Sequence, residues 1–433
     1  MYNEPLQTAT ATSCQEHQAR RFDELTQFLR SENPYYRDKW QDVKAGRLDF
    51  AHLEELPFTT KSDLQREQRE HPPFGRNLSF PINRYIRYHQ TSGSTGTPLR
   101  IPDTSQDWEW WAACWTYILD AAGVTEADRV MLAFSFGPFI GFWSAQEAVA
   151  RVGAMMLSGG GMTSAQRLAF MRDLEATVLL CTPSYALHLG EIAQAQGMNP
   201  ARDLALRVAI HAGEPGAGIP ATRERLESLW GYQAFDHPGA SEVGAYAYSC
   251  SARDGVHINE AEFIAEVINP ETGEPLPPGE TGELVLTNLG RKGFPVVRYR
   301  TRDMVRARQR GTCSCGRSFL LLEGGILGRT DDMVTVRGVN IFPAAFLELF
   351  NTIPGVTEHR VTAWREGHMD QIHVEFEDTG SASRVEEIGK IIRERLAIRV
   401  TLEQHPSGAL PRFEMKAKRF FDRRDEGWRP PAG

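Results

Sequence analysis

Six cysteines in 433 residues make no disulfide framework, so the chain has to be held by buried apolar surface. No window approaches the ~20 apolar residues of a membrane-spanning helix. The opening "MYNEPLQTATATSC" lacks the basic start and apolar core of a secretory signal. A cytoplasmic chain is therefore expected, away from membranes, with Cys14, Cys114 and Cys181 as reduced thiols. Positive charge is not in excess either: a formal net charge of −8 gives no general pull toward nucleic acid or an anionic surface. Internal repeats are missing. What remains is a composition ordinary for a globular enzyme, in a chain longer than the ~250–300 residues at which single cores stop growing, so at least two domains are expected.

The middle of the chain alternates short apolar runs with amphipathic segments. "RVMLAFSF" (129–136), "EATVLLCTP" (175–183) and "LALRVAIHAGEP" (204–215) read as buried strands ending in polar loops, and "ATRERLESLWG" (221–231) has helical spacing with a glycine stop. This order predicts an α/β domain, in which ligands gather beyond the carboxyl ends of the strands. Residues 17–80 predict helical pieces in an outer layer, and "GGG" at 159–161 reads as a flexible connection. The stretch 262–310 is strand-rich and predicts a β-rich subdomain. Helices around 343–351 and 384–396, set between strand candidates, predict a small C-terminal α+β domain.

In "HQTSGSTGTPLRIP" (89–102), Thr91, Ser92, Ser94 and Thr95 offer hydroxyls, while Gly93 and Gly96 let backbone amides approach a phosphate. Thr97 and Pro98 follow Gly96 where a Walker sequence carries lysine, which disfavours a P-loop nucleotidase. Taken alone, the segment reads first as a surface turn.

Its company changes that reading. "TSGSTGTPL", "HAGEPG", "DHPGASEVG", "GELVLTNLGRKGFPVVRYRTRD", "GRTDDMVTVRGVNIFP" and "LPRFEMKAKRFFDRR" follow one another along the chain, which thereby resembles the phenylacetate-CoA ligase branch of the adenylate-forming enzymes. The resemblance implies an N-terminal adenylation and acid-binding domain (1–330) and a mobile C-terminal domain (331–433). It implies ATP and Mg²⁺ as cofactors and two half-reactions: a carboxylic acid attacks ATP to give an acyl-adenylate and pyrophosphate, and the thiol of coenzyme A then takes the acyl group. The expected acid is aromatic, such as phenylacetate, benzoate or a 2-aminobenzoate-like compound. A carrier protein with the same pantetheine arm is the alternative acceptor, and a catalytically silent ligand-binding relative is the alternative of another class. The oligomeric state stays open, a homodimer included.

The same resemblance implies roles for particular residues. Ser92, Gly93, Ser94, Thr95 and Gly96 would enclose the β and γ phosphates. Glu242, after Ser241, would ligate Mg²⁺, a hard cation that takes few protein carboxylates when phosphate and water complete its shell. Asp303 would accept the ribose hydroxyls, since a carboxylate can receive two donors, and Arg329 would contact the nucleotide. Gly213, Glu214 and Pro215 would line the adenine pocket. Pro238 stands where many relatives carry an aromatic residue, so Asp236 and His237 are the polar candidates there. Lys416 would bridge the substrate carboxylate and the α-phosphate, where charge changes during attack; Met415 replaces the usual preceding glycine. Asp331 occupies the hinge position between domains.

Two further sites are read from residue types. Phe134, Phe136, Phe139, Phe142 and Trp143 cluster beyond a strand candidate; at least half of them are expected only to pack in the core, but an apolar wall of this kind suits a flat aryl acid. Phe136, Gly137 and Ala212 are the expected lining, the last two because small side chains leave room for a ring. Cys250, His257, Cys313 and Cys315 make a full tetrahedral set for structural Zn²⁺. The C-x-C spacing is less diagnostic than C-x₂-C, so reduced cysteines in turns remain the alternative.

Overall fold

Five short parallel strands sort their side chains onto two faces. Val130, Leu132, Val178, Leu180, Val208 and Ile210 enter one core, while the alternating Met131, Leu179, Cys181 and Ala209 enter another. A sheet buried on both sides needs this near-continuous apolar sequence, because successive residues point to opposite faces. In this computed structural model, which describes residues 1–91, 97–311, 313–332, 334–336, 339–366, 369–380, 382–413 and 417–431, the strand order is Met155–Ser158, Arg129–Leu132, Val178–Cys181, Val208–Ala212, Gln233–His237. The strand expected over 129–136 stops at Leu132. Beyond it the chain packs its phenylalanines against one another. The expected helix near 221–231 runs over Pro220–Trp230.

The "GGG" segment is a site of close packing as well as a connection. A Cβ on Gly160 would lie 2.4 Å from a ring carbon of Phe136, so only glycine lets that ring sit where it does.

The β-rich part forms as expected, with Phe263–Ile268, Thr281–Asn288, Tyr299–Arg306 and Gly328–Arg329 in one antiparallel sheet. A smaller sheet of Leu321–Glu323, Gly255–Ile258 and Ala247–Ser249 lies in the same part of the chain. The N-terminal layer is better built than its sequence suggested. Its main helix, Ala11–Glu32, starts on a Thr10 cap and buries Cys14, Gln18, Phe22, Leu25 and Leu29 along one stripe. Gln18 donates to the Phe263 carbonyl at 2.8 Å, tying that helix to the β-rich sheet.

The C-terminal part has its own core, including Phe346, Val361, Val374, Phe376, Ile388 and Ile392. Helices Pro343–Asn351 and Val385–Leu396 accompany a sheet ordered Thr401–Pro406, Met369–Asp378, Val356–Glu366, Phe420–Asp422. Among the described residues no helix is long and apolar enough to cross a membrane.

A hairpin that the sequence reading did not anticipate, Tyr85–Gln90 paired with Arg100–Thr104, flanks the glycine and hydroxyl segment. Thr91 closes its end, donating its amide to the Leu99 carbonyl and accepting the Leu99 amide on its hydroxyl, both at 3.0 Å. Ser92, Gly93, Ser94, Thr95 and Gly96 themselves lie outside the described residues. The second hairpin strand is anchored by Asp103, whose Oδ1 accepts Arg291 Nε at 2.8 Å, both side chains being fully buried. Arg291 also donates to the Ser241 carbonyl at 2.7 Å and lies over the Trp111 ring. Removing one partner of a buried ion pair strands the other charge. Arg291→Ala should therefore cost ~3–5 kcal/mol in chemical denaturation, and the double variant Asp103→Leu/Arg291→Met should recover most of that loss.

Candidate active site

Among the described residues, the candidates sit at strand ends and at one bulge. Opposite Glu283 stands Met304 and opposite Val285 stands Arg300, so Thr301, Arg302 and Asp303 together face the single residue Leu284. Arg302 takes a left-handed φ of 64° to accommodate the extra chain. Bulges of this kind re-aim a side chain. Here the result is that Asp303 pairs in register with Arg329, whose Nη1 donates to Asp303 Oδ1 at 3.1 Å, while the Tyr246 hydroxyl donates to Oδ2 at 3.3 Å.

Only 14% of the Asp303 side chain is exposed. Burial pushes its pKa up to about 6, against the pull of Arg329 and the Tyr246 hydroxyl, with the charges of Asp331 and Glu242 adding to the upward push. The neighbouring arginines take other partners, Arg300 pairing with Glu283 and Arg302 with Asp331. Arg329 also holds Asp331, through Nε at 2.9 Å and Nη2 at 3.0 Å, so the expected hinge residue is pinned beside the expected nucleotide residues.

Glu242 follows the strand Gln233–His237 and is buried. Its Oε1 accepts the Tyr299 hydroxyl at 2.9 Å and lies 3.7 Å from Lys61 Nζ. The neighbouring Ser241 is held by Arg291 through its carbonyl. Asp236 turns inward beneath Gly218 and Gly325. Its pKa is pushed up to about 7 by burial, with Arg223 and the amides of Gly218 and His237 opposing. His237 is also buried, and burial lowers its pKa to about 4.

Gly213, Glu214 and Pro215 leave the end of Val208–Ala212. The Glu214 carboxylate accepts the Ser184 amide at 2.8 Å and the Ala417 amide at 2.7 Å. Burial raises its pKa, opposed by Arg419 and by those two amides. Ala417 directly follows Lys416, which lies outside the described residues.

Four of the five aromatic candidates, Phe134, Phe136, Phe142 and Trp143, form one continuous wall. Ring centroids are 4.6 Å apart for Trp143 and Phe136, 4.4 Å for Phe136 and Phe134, and 5.3 Å for Phe134 and Phe142. Trp115 continues it, 5.8 Å from Phe142 and 4.5 Å from His237. The Gly137 carbonyl accepts Trp143 Nε1 at 3.0 Å, and Ala212 pairs with His237 at the sheet edge.

Cys250, His257, Cys313 and Cys315 also come together, with one donor atom from each within 4.8 Å of all the others. His257 Nδ1 lies 2.9 Å from the Phe319 carbonyl, which makes Nδ1 the donor and leaves Nε2, 3.4 Å from Cys315 Sγ, free to ligate. Cys250 and Cys313 sulfurs are 3.6 Å apart, well beyond the ~2.05 Å of a disulfide.

Sequence reasoning missed Tyr246, Tyr299, Arg291 and Lys61. Tyr246 and Tyr299 each stand four residues from a chosen carboxylate, which was the only local signal. Arg291 and Lys61 carry none, because their partners are distant in the chain.

This arrangement, with a parallel sheet presenting carboxylates at its carboxyl edge and a separate C-terminal domain reaching back to it, is that of the adenylate-forming class. Residues 62–290 match the family model described as AMP-binding enzyme, and residues 338–424 match that described as AMP-binding enzyme C-terminal domain. The chain is 33% identical to the phenylacetate-coenzyme A ligase of Pseudomonas putida over 437 aligned residues, covering 97% of each. It belongs to the phenylacetate-CoA ligase family and is an AMP-forming acid–CoA ligase working through an acyl-adenylate. Among solved structures, 2-hydroxyisobutyryl-CoA ligase in its postadenylation state is similar with a TM-score of 0.92 and 27% identity, covering 98% of this chain and 92% of that one. The same relative in its thioesterification state, with equal coverage and 28% identity, gives 0.74.

An aspartate that titrates near pH 6 loses an acceptor oxygen as the pH falls. With Asp303 accepting the ribose hydroxyls, as the resemblance implies, nucleotide affinity measured by calorimetry should weaken several-fold from about pH 7.5 to about pH 5.5. Asp303→Asn should weaken it about tenfold at the higher pH and flatten the profile.

Proposed function

We propose that the acid activated by this acid–CoA ligase is aromatic. The observation that carries the reading is the wall of Trp143, Phe136, Phe134, Phe142 and Trp115, beside the strand ends that bear Gly213 and His237. Flat rings pack against such a wall by offset or edge contacts. The phenylacetate-coenzyme A ligases among its relatives support the same class of substrate.

In this reading Asp303 receives the ribose hydroxyls and Arg329 contacts the nucleotide. Glu242, oriented by the Tyr299 hydroxyl, is the carboxylate that fits Mg²⁺, a hard cation suited to oxygen donors. When bound, Mg²⁺ would offset the negative charge of the departing pyrophosphate. Lys416 neutralises the carboxylate and α-phosphate as they approach. Residues 1–330 then form the adenylation domain and 331–433 the mobile one, with Asp331 as the hinge. Neither half-reaction needs a covalent enzyme nucleophile: the carboxylate attacks phosphorus, and the thiol later attacks the activated carbonyl.

The experiment is a panel of aryl and short aliphatic acids, assayed for pyrophosphate release with ATP and Mg²⁺ and for thioester formation with coenzyme A. Release and an acyl-CoA product with aryl acids are expected. A preference for short aliphatic acids would overturn the aromatic reading, and release without thioester would point to a carrier protein.

Cys250, His257, Cys313 and Cys315 fit structural Zn²⁺, which would clip together the ends of the segment around the smaller sheet. Purified protein should hold about one zinc per chain, and Cys315→Ser should lose the metal and lower the melting temperature. Metal-free protein with a chelator-insensitive melt would overturn the site.

A further inference from the structure

We infer that Glu214 is a positioning residue: its carboxylate latches the segment carrying Lys416 onto the adenylation site and so holds the C-terminal domain in the posture for the first half-reaction. The inference rests on the ligase reading above and adds to it a device for choosing between half-reactions.

Glu214 sits at the exit of Val208–Ala212, at the carboxyl edge where the site is built. One oxygen, Oε1, accepts the amide of Ser184, the second residue of the helix Pro183–Ala195. That bond alone would be a helix cap, favoured by the positive end of the helix dipole. Oε2, however, crosses to the other domain and accepts the Ala417 amide. A cap needs one acceptor. The second makes the side chain a clasp between a strand end of one domain and the residue following the catalytic lysine of the other.

The rest of the contact between the domains suits a reversible clasp. Arg419 reaches the Ser184 hydroxyl at 2.8 Å while its Nη2 holds Glu358, and Arg412 reaches Glu191 at 3.0 Å. Arg225 donates to Asn351 at 3.0 Å, and Asn351 to Thr222 at 2.6 Å. Water can satisfy these polar groups when the domains part, although Leu187 lines the same cavity as Leu347, Phe350 and Phe413. The Glu214 bond is charge-assisted like the Arg412–Glu191 pair, but among these contacts it is the one that grips the residue next to Lys416. The overall arrangement agrees, since it is much closer to the postadenylation form of the solved relative than to its thioesterification form.

The test uses the full chain and measures the half-reactions separately: acid-dependent pyrophosphate release without coenzyme A, and thioester formation from presynthesised acyl-adenylate with coenzyme A. Glu214→Gln keeps the length but has one acceptor oxygen; Glu214→Asp keeps the charge but is a methylene shorter and serves if the amide variant folds poorly. Pyrophosphate release should fall about tenfold or more relative to thioester formation, the loss of one charge-assisted hydrogen bond. Equal losses in both, or no loss in either, would mean that Glu214 is only a structural cap and would overturn the latch. Hydrogen exchange supplies a readout that needs no turnover. Exchange at the Ala417 amide should quicken in Glu214→Gln while amides of Val356–Glu366 keep their protection. Unchanged protection at Ala417 overturns the latch whatever acid the enzyme uses, whereas failure of every aryl acid to release pyrophosphate overturns only the substrate reading.

Discussion

The ion pair between Arg291 and Asp103 is the constraint on which the site depends. Both side chains are fully buried, so their desolvation has to be met by close geometry and further partners. Arg291 supplies those partners from different parts of the chain: Asp103 on the hairpin flanking the glycine and hydroxyl segment, the carbonyl of Ser241 next to Glu242, and the faces of Trp111 and Phe294. One guanidinium thus sets the distance between the strand that follows the proposed phosphate segment and the proposed magnesium carboxylate. A lysine could not do this, having neither the planar fork nor the several donors in fixed directions.

The second organising feature is the bulge at Thr301–Asp303. A regular strand would alternate Arg302 and Asp303 between faces in step with its partner. Three residues against one break that step, and the left-handed Arg302 absorbs the turn. Asp303, Arg329 and Asp331 then form one connected set. The residue expected to bind ribose, the residue expected to meet the nucleotide and the residue expected to serve as hinge are therefore coupled electrostatically. Parting of Asp331 from Arg329 would change the field at Asp303, because Arg329 is the main influence lowering its pKa.

Much of this was legible from short segments. The strands Val178–Cys181 and Val208–Ala212 and the helices Pro343–Asn351 and Val385–Leu396 lie where apolar spacing placed them, because burial on two faces, or on one stripe, leaves a period in the sequence. The strand from Arg129 was read too long, since the phenylalanines after Leu132 are as apolar as a strand core and periodicity does not separate a ring wall from a strand. The hairpin Tyr85–Gln90 with Arg100–Thr104 was missed because its first strand is largely exposed and shows no apolar alternation.

By itself the sequence determined the family, the order of the motifs and the chemical identity of the carboxylates, since these are local strings that keep their meaning wherever the chain puts them. It also held the complete Cys250, His257, Cys313 and Cys315 donor set, although it left their meeting open. Tertiary structure decided which partner each charge takes: Arg329 for Asp303, Tyr299 and Lys61 for Glu242, Arg291 for Asp103, and the Ala417 amide for Glu214. Those choices depend on where distant segments are brought together by burial of the cores between them. Electrostatic and hydrogen-bond energies fall steeply with distance and exposure, so they are set only once the chain has folded.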